Sequence, residues 1–299
     1  MTEFRRIAVI GFGEAGGILG ADLVAAGCDV TTYDILFAAP QFREAMRAKA
    51  ERSRVRAADT LADATKDAQL VISAVTATSS GDVASLAGKS MRSGQVFLDI
   101  NSCSPAKKQS SCKALEVSGA DYVEAAVMAP VPPQRLKVPM LLGGRRAAEV
   151  APALQALGMN ATSIATEIGV ASAVKMCRSV MIKGIESLAV ESMLAARRFG
   201  AEEQVLASLN QTYPGIGWDK ALPDYLISRV AEHGRRRAAE MREVARTLQD
   251  VGITPTMAAA IAERQDQLID QMNAKGIGYS QAEPFSWRAL ADALADDTP

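Results

Sequence analysis

The first thirty-four residues constrain this chain more than any other stretch. The apolar run Ile7–Ile10 reads as a buried strand, and Ala15–Ala26 has helical spacing that ends at Gly27. Between them lie Gly11, Phe12, Gly13, Glu14, Ala15 and Gly16, a G-x-G-x-x-G turn that leaves a strand and opens a helix. Each glycine has a separate task. Gly11 permits a tight turn, Gly13 lets backbone approach a pyrophosphate, and Gly16 allows close helix–strand packing. The helix N-terminus then faces the anion. A second strand, Asp29–Tyr33, ends at Asp34, 23 residues after Gly11. A carboxylate there accepts from a ribose 2′-hydroxyl and repels a 2′-phosphate. The expected cofactor is therefore NAD, with NADP as the alternative because neighbouring basic residues can reverse the choice. Val75 and Thr76, after a later strand, are expected to cover its other side.

Further apolar runs follow at Leu70–Val75, Val96–Ile100, Tyr122–Val127 and Met140–Leu142, separated by helical stretches such as Ala38–Arg56. That alternation predicts a parallel sheet covered on both faces. After Gly169 no strand pattern appears. Val170–Phe199 reads as one helix of about 30 residues, roughly 45 Å long. Glu202–Asn210, Asp224–Val251 and Met257–Ala274 are further helical stretches. The fold expected is α/β: a Rossmann-type doubly wound sheet over 1–165, then an all-α substrate and dimerisation domain over 166–299, joined by the long interdomain helix.

Composition excludes several classes. Lys+Arg is 33 against Asp+Glu 34, a net charge of −1, which lacks the basic excess of a nucleic-acid binder. No run of 18 apolar residues occurs, so no membrane span is expected. The cysteines at 28, 103, 112 and 177 match no zinc or C-x-x-C spacing. Without an export signal they read as reduced thiols of a cytoplasmic protein.

Four segments together resemble the β-hydroxyacid dehydrogenase family, which includes 6-phosphogluconate and 3-hydroxyisobutyrate dehydrogenases. The first is the glycine turn. The second, Leu98–Pro105 (L-D-I-N-S-C-S-P), is similar to D-x-S-T-x-x-P. The third, Val123–Pro130 (V-E-A-A-V-M-A-P), stands where the family has D-A-P-V-S-G-G. The fourth, Gly169–Ser179, is similar to G-x-G-x-x-x-K-x-x-x-N. The resemblance implies hydride exchange between nicotinamide and a small 3-hydroxy acid or its keto acid. It places the general acid/base at Lys175, and Asn101 and Ser102 beside the nicotinamide ribose and the substrate. It also implies a homodimer or tetramer.

The departures leave the substrate open. Met128 replaces the family's serine, Ala129 and Pro130 replace its glycines, and Ser179 replaces an amide side chain. Arg178 stands where relatives carry Asn or His. These variants look like a branch whose C-terminal part is a domain of unknown function. An imine reductase is one alternative, although relatives with that activity usually carry Asp or Tyr in place of the lysine. Oxidative decarboxylation of a sugar acid and nicotinamide binding without turnover are the others.

A lysine serves as base only if its pKa falls well below about 10.4, and burial or a neighbouring cation lowers it. Arg178, one turn on, supplies that cation or binds a substrate carboxylate bidentately. Ser179, at i+4 from Lys175, shares its helix face and can hold the lysine or the substrate hydroxyl. His233, the sole histidine, shares a helical face with Arg237 and Glu240. That face reads as a wall closing on a small anionic substrate or as a solvated basic surface. Arg135 and Lys137 are further candidates to meet an anion.

Overall fold

In a computed structural model of the chain, residues 3–175, 178, 199–212, 227–235, 238, 241, 252, 254–280 and 284–295 are described. The chain divides into two compact units, Met1–Ser179 and Val180–Pro299.

The first unit is built on eight strands: β1 Arg6–Ile10, β2 Asp29–Tyr33, β3 Arg56–Ala57, β4 Leu70–Ser73, β5 Val96–Asp99, β6 Asp121–Val127, β7 Met140–Gly143 and β8 Ala161–Ala165. They form one sheet in the order β3-β2-β1-β4-β5-β6-β7-β8. Every pairing is parallel except β6 with β7. The sequence reading expects a parallel sheet and does not foresee β8. That strand alternates buried and exposed residues at the sheet's edge, so it lacks a continuous apolar run.

Helices described in this unit ahead of the one that starts at residue 170 are α1 Glu14–Ala25, α2 Pro40–Arg52, α3 Leu61–Thr65, α4 Ser80–Gly88, α5 Pro105–Glu116, α6 Val131–Gln134 and α7 Ala147–Ala156. The period-two alternation of each strand feeds two cores. Ile7, Val9, Ile72 and Leu98 pack with Leu19 and Leu23 of α1 and Leu154 of α7. Ala8, Ile10, Val71 and Phe97 pack with Leu61 of α3, Ala84 of α4 and Leu115 of α5. The sheet is therefore covered on both faces, as a parallel sheet requires. α2 is shorter than the expected Ala38–Arg56 stretch, because Pro40 sets its first turn and Ile35–Phe37 form a separate 3-10 turn.

Strand order reverses between β1 and β4. In open α/β sheets the crevice at the carboxyl ends of such strands is where ligands bind.

In the second unit the described helices are α8 Glu202–Thr212, residues 227–235, α9 Thr256–Ala274 and α10 Trp287–Ala295. Ala231, Met272 and Leu290 form a small core with Leu268, Ile269 and Phe285 around them. Arg235 braces this core by donating to Asp266 at 3.0 Å and also to Asp270. Of the long helix expected over 170–199, residues 170–175 and 178 are helical, and the remainder up to 198 lies outside the described residues. No helix among the described residues is long and apolar enough to cross a membrane.

Candidate functional site

The glycine turn sits at the point where strand order reverses. Gly11 has φ +90°, and a Cβ there would stand 2.4 Å from the Ala74 carbonyl oxygen at the end of β4. Only glycine tolerates both conditions. A Cβ on Gly16 would stand 1.9 Å from the Gly11 oxygen, so α1 can pack against its own turn only without one. Gly13 differs, since nothing lies within 4 Å of the Cβ it lacks. No side chain caps α1, whose first turn carries exposed Glu14 and partly buried Ala15. The turn is thus an open cradle of backbone at a helix N-terminus, which suits a pyrophosphate.

Asp34 faces this cradle with both oxygens already engaged. Its Oδ2 accepts from the Phe12 backbone N–H at 2.7 Å, and its Oδ1 accepts from Leu36 N–H at 2.9 Å. Each carboxylate oxygen keeps a second acceptor position for a ribose hydroxyl.

The sequence reading missed Lys49. Its Nζ reaches from α2 to donate to the carbonyls of Phe12 and Gly13, both at 2.7 Å, and lies 5.0 Å from the centre of the buried Phe12 ring. Asp34 and Lys49 therefore hold Phe12 by its N–H and its carbonyl. Gly17 makes room, because a Cβ there would stand 2.8 Å from Lys49 Cε. A signal existed: the fingerprint explains Gly16 but not the glycine that follows it.

At the ends of β4 and β5, Asn101 is 5% exposed. Its Oδ1 accepts from Val75 N–H at 2.7 Å, and its Nδ2 donates to Ser73 Oγ at 2.9 Å. The amide thus braces the crevice wall. Ser102 beside it is exposed, as is Thr76, whose hydroxyl joins those of Thr78 at 2.8 Å and Ser79 at 3.0 Å. Beneath Asn101, Asp99 accepts from the Asn101 N–H at 2.9 Å and pairs with Lys108.

The turn before Lys175 is drawn onto the same wall. Glu124 of β6, fully buried, accepts from the backbone N–H groups of Gly169 at 2.7 Å, Ala171 at 3.0 Å and Ser172 at 3.3 Å. Gln109 of α5 donates to the Ile168 carbonyl at 3.1 Å. The second, third and fourth sequence segments thus meet in one unit. Lys175 follows Ser172 on the helix and is partly buried, and Arg178 is helical and exposed. Met128 is partly buried past the end of β6, its N–H donating to Pro139 O at 2.8 Å.

Other candidates stand apart. Arg135 is committed to Asp22 of α1, with Nε at 3.0 Å from Oδ2, so it is not a waiting anion receptor. His233 belongs to the second unit, 3.3 Å from Glu232, in a cavity of about 460 Å³ also lined by Arg235, Met272 and Tyr279. Ser179, Arg237, Glu240 and Cys177 lie outside the described residues. Cys28, Cys103 and Cys112 are free thiols, and burial raises the pKa of Cys28 and Cys112.

Fold and turn together define an NAD-binding Rossmann protein of the oxidoreductase class. Residues 6–168 match the family described as the NAD binding domain of 6-phosphogluconate dehydrogenase, and the chain belongs to it. Residues 196–268 match a domain of unknown function, DUF1932. A conserved hypothetical protein from Sinorhizobium meliloti is 38% identical, covering 98% of this chain and 96% of that one, with a TM-score of 0.64. A conserved protein of unknown function, described as structurally similar to 3-hydroxyacid dehydrogenases, is 31% identical over 88% of this chain and 97% of that one, with a TM-score of 0.60. An imine reductase variant from Myxococcus stipitatus in complex with NAD+ has a TM-score of 0.70 at 18% identity, covering 97% of this chain and 99% of that one. That last likeness is one of fold alone.

Proposed function

We propose that this protein is an NAD-dependent dehydrogenase or reductase of a small 3-hydroxy acid or its keto acid, with Lys175 as general acid/base. One observation carries the reading. Glu124 and Gln109 tie the turn that precedes Lys175 to the β5–α5 and β6 segments, in the unit that also holds the nucleotide cradle. The chemistry supplied by bound nicotinamide is hydride exchange at the substrate carbon. The chain's own part is the proton. Lys175, as neutral amine, takes the hydroxyl proton in oxidation and returns it in reduction. Arg178 holds the substrate carboxylate, Ser102 and Ser179 orient the oxygen, and Met128 gives the pocket an apolar side.

The test is NAD reduction over a panel of hydroxy acids. Removing a general base typically costs about 10²–10⁴-fold, so Lys175→Ala should lose at least the lower figure with NAD affinity unchanged. Lys175→Arg should not rescue it, because guanidinium stays protonated. Arg178→Ala should raise KM for the acid. Near-wild-type turnover in Lys175→Ala would overturn the reading.

A further inference from the structure

We infer that Glu124 is a positioning residue for Lys175, setting the start of the helix that carries it. The inference rests on the reading of Lys175 given above. It is carried by a buried carboxylate whose bonds run to one short stretch of backbone.

Glu124 is 0% exposed in the middle of β6, in register with Asp99 on one side and Gly143 on the other. Burying a carboxylate is costly unless it is hydrogen-bonded. Here the compensation comes from three backbone N–H groups: Oε1 accepts from Gly169 and Ala171, and Oε2 accepts from Ser172. These lie in the first turn of a helix, where N–H groups have no intrahelical partner and the dipole is positive. A capping carboxylate normally sits on the adjoining residues of the same chain segment. This one comes from a strand 45 residues earlier, so it binds the helix start to the sheet rather than merely ending a loop.

The surroundings are shaped to admit that carboxylate. A Cβ on Gly143 would stand 2.6 Å from Glu124 Oε1. Gly169 has φ +112°, which turns its N–H into the carboxylate's reach at a cost that glycine alone avoids. Ser172 Oγ donates to the Gly169 carbonyl at 3.1 Å and closes the turn. Lys175 lies three residues beyond the last bonded amide. Any shift of this turn is carried by the helix into the lysine, and small misplacements of a reacting group are expensive in rate. The inferred action is on geometry at the reacting step. It leaves NAD binding, which depends on the turn after β1, untouched.

Three variants test this in the full-length protein: Glu124→Gln, Glu124→Ala and Gly143→Ala. Glutamine keeps one oxygen for Gly169 and Ala171 and loses the bond to Ser172, so its effect should be the mildest. Gly143→Ala pushes the carboxylate aside without removing it. Expected is a kcat loss of at least tenfold in Glu124→Ala and Gly143→Ala, a smaller loss in Glu124→Gln, KM for the acid within about threefold, and unchanged NAD affinity. Hydrogen exchange should quicken over residues 166–175 and not in the glycine turn. Unchanged exchange there would overturn the anchoring. Quickened exchange with wild-type kcat would overturn the positioning role and leave Glu124 purely structural. Lys175→Ala in the same assay separates the two claims. If it is inert while the Glu124 variants turn over normally, only the Glu124 inference fails. If it is active, the reading of Lys175 fails.

Discussion

Lys108 and Asp99 form an ion pair at 2.9 Å in which both side chains are 1% exposed, and Lys108 Nζ also donates to the Asp99 backbone carbonyl at 2.7 Å. The pair lies directly beneath Asn101, and Tyr122 OH completes it by donating to Asp99 Oδ2 at 2.6 Å. Breaking such a pair leaves an uncompensated buried charge, which costs about 3–5 kcal/mol. Lys108→Met should therefore lower the urea midpoint strongly. The double variant Asp99→Asn with Lys108→Met should recover part of that loss. A single variant as stable as wild type would contradict the pairing.

Tyr122 makes the stability sensitive to alkali. Burial, followed by the charge and hydrogen bond of Asp99, pushes its phenol pKa well above the ordinary 10. A raised folded-state pKa means that the folded state holds the proton more tightly than the unfolded state. The stabilisation is complete below about pH 10 and declines as pH rises above it. Urea midpoints measured from pH 8 to 11 should fall at the alkaline end in the wild type. Tyr122→Phe, which has no proton to lose, should show a smaller fall.

The glycines of the first turn should separate folding from binding. A Cβ on Gly16 meets the Gly11 carbonyl at 1.9 Å, whereas one on Gly13 meets nothing within 4 Å. Gly16→Ala should lose about 1–3 kcal/mol of stability, in the manner of overpacked sites. Gly13→Ala should melt closer to wild type and bind NAD roughly tenfold more weakly, equivalent to about 1.4 kcal/mol. Calorimetric melts and NAD titrations of both variants check the contrast.

Cofactor choice should depend on Asp34. Its carboxylate already holds the Phe12 N–H at 2.7 Å, so Asp34→Ala removes a brace of the turn as well as a repulsive charge. NAD affinity should fall while NADP affinity changes less, eroding the preference. Tighter binding of NADP than of NAD by the wild type would show that Asp34 does not set the choice.

Local pattern was enough for the nucleotide unit. A strand, three glycines, a helix and an acidic strand end are neighbours in sequence, and their roles follow from backbone sterics alone. In the structure a Cβ on Gly11 or Gly16 would meet backbone, Gly13 borders open space, and Asp34 accepts from the Phe12 N–H. The alternation of apolar runs likewise pointed to a parallel sheet, because each interior strand must be apolar on both faces, but not to the antiparallel pairing of β6 with β7.

Contacts across long separations were decided only by tertiary structure. Lys49 grips a turn 36 residues away, Arg135 is taken up by Asp22 at a separation of 113, and Glu124 caps a helix 45 residues on. Each of these side chains is an ordinary charged residue by type. Only Glu124, inside an apolar run, stands out in sequence as a charge that needs partners; which partners each of the three finds is delivered by folding. Asn101 shows the same limit from the other side. Its motif position points to the nicotinamide ribose and the substrate, and the fold adds what the motif does not tell, that its amide bonds Val75 and Ser73. The sequence by itself determined which backbone could cradle a dinucleotide; the assembled sheet decided which charges remained to do chemistry beside it.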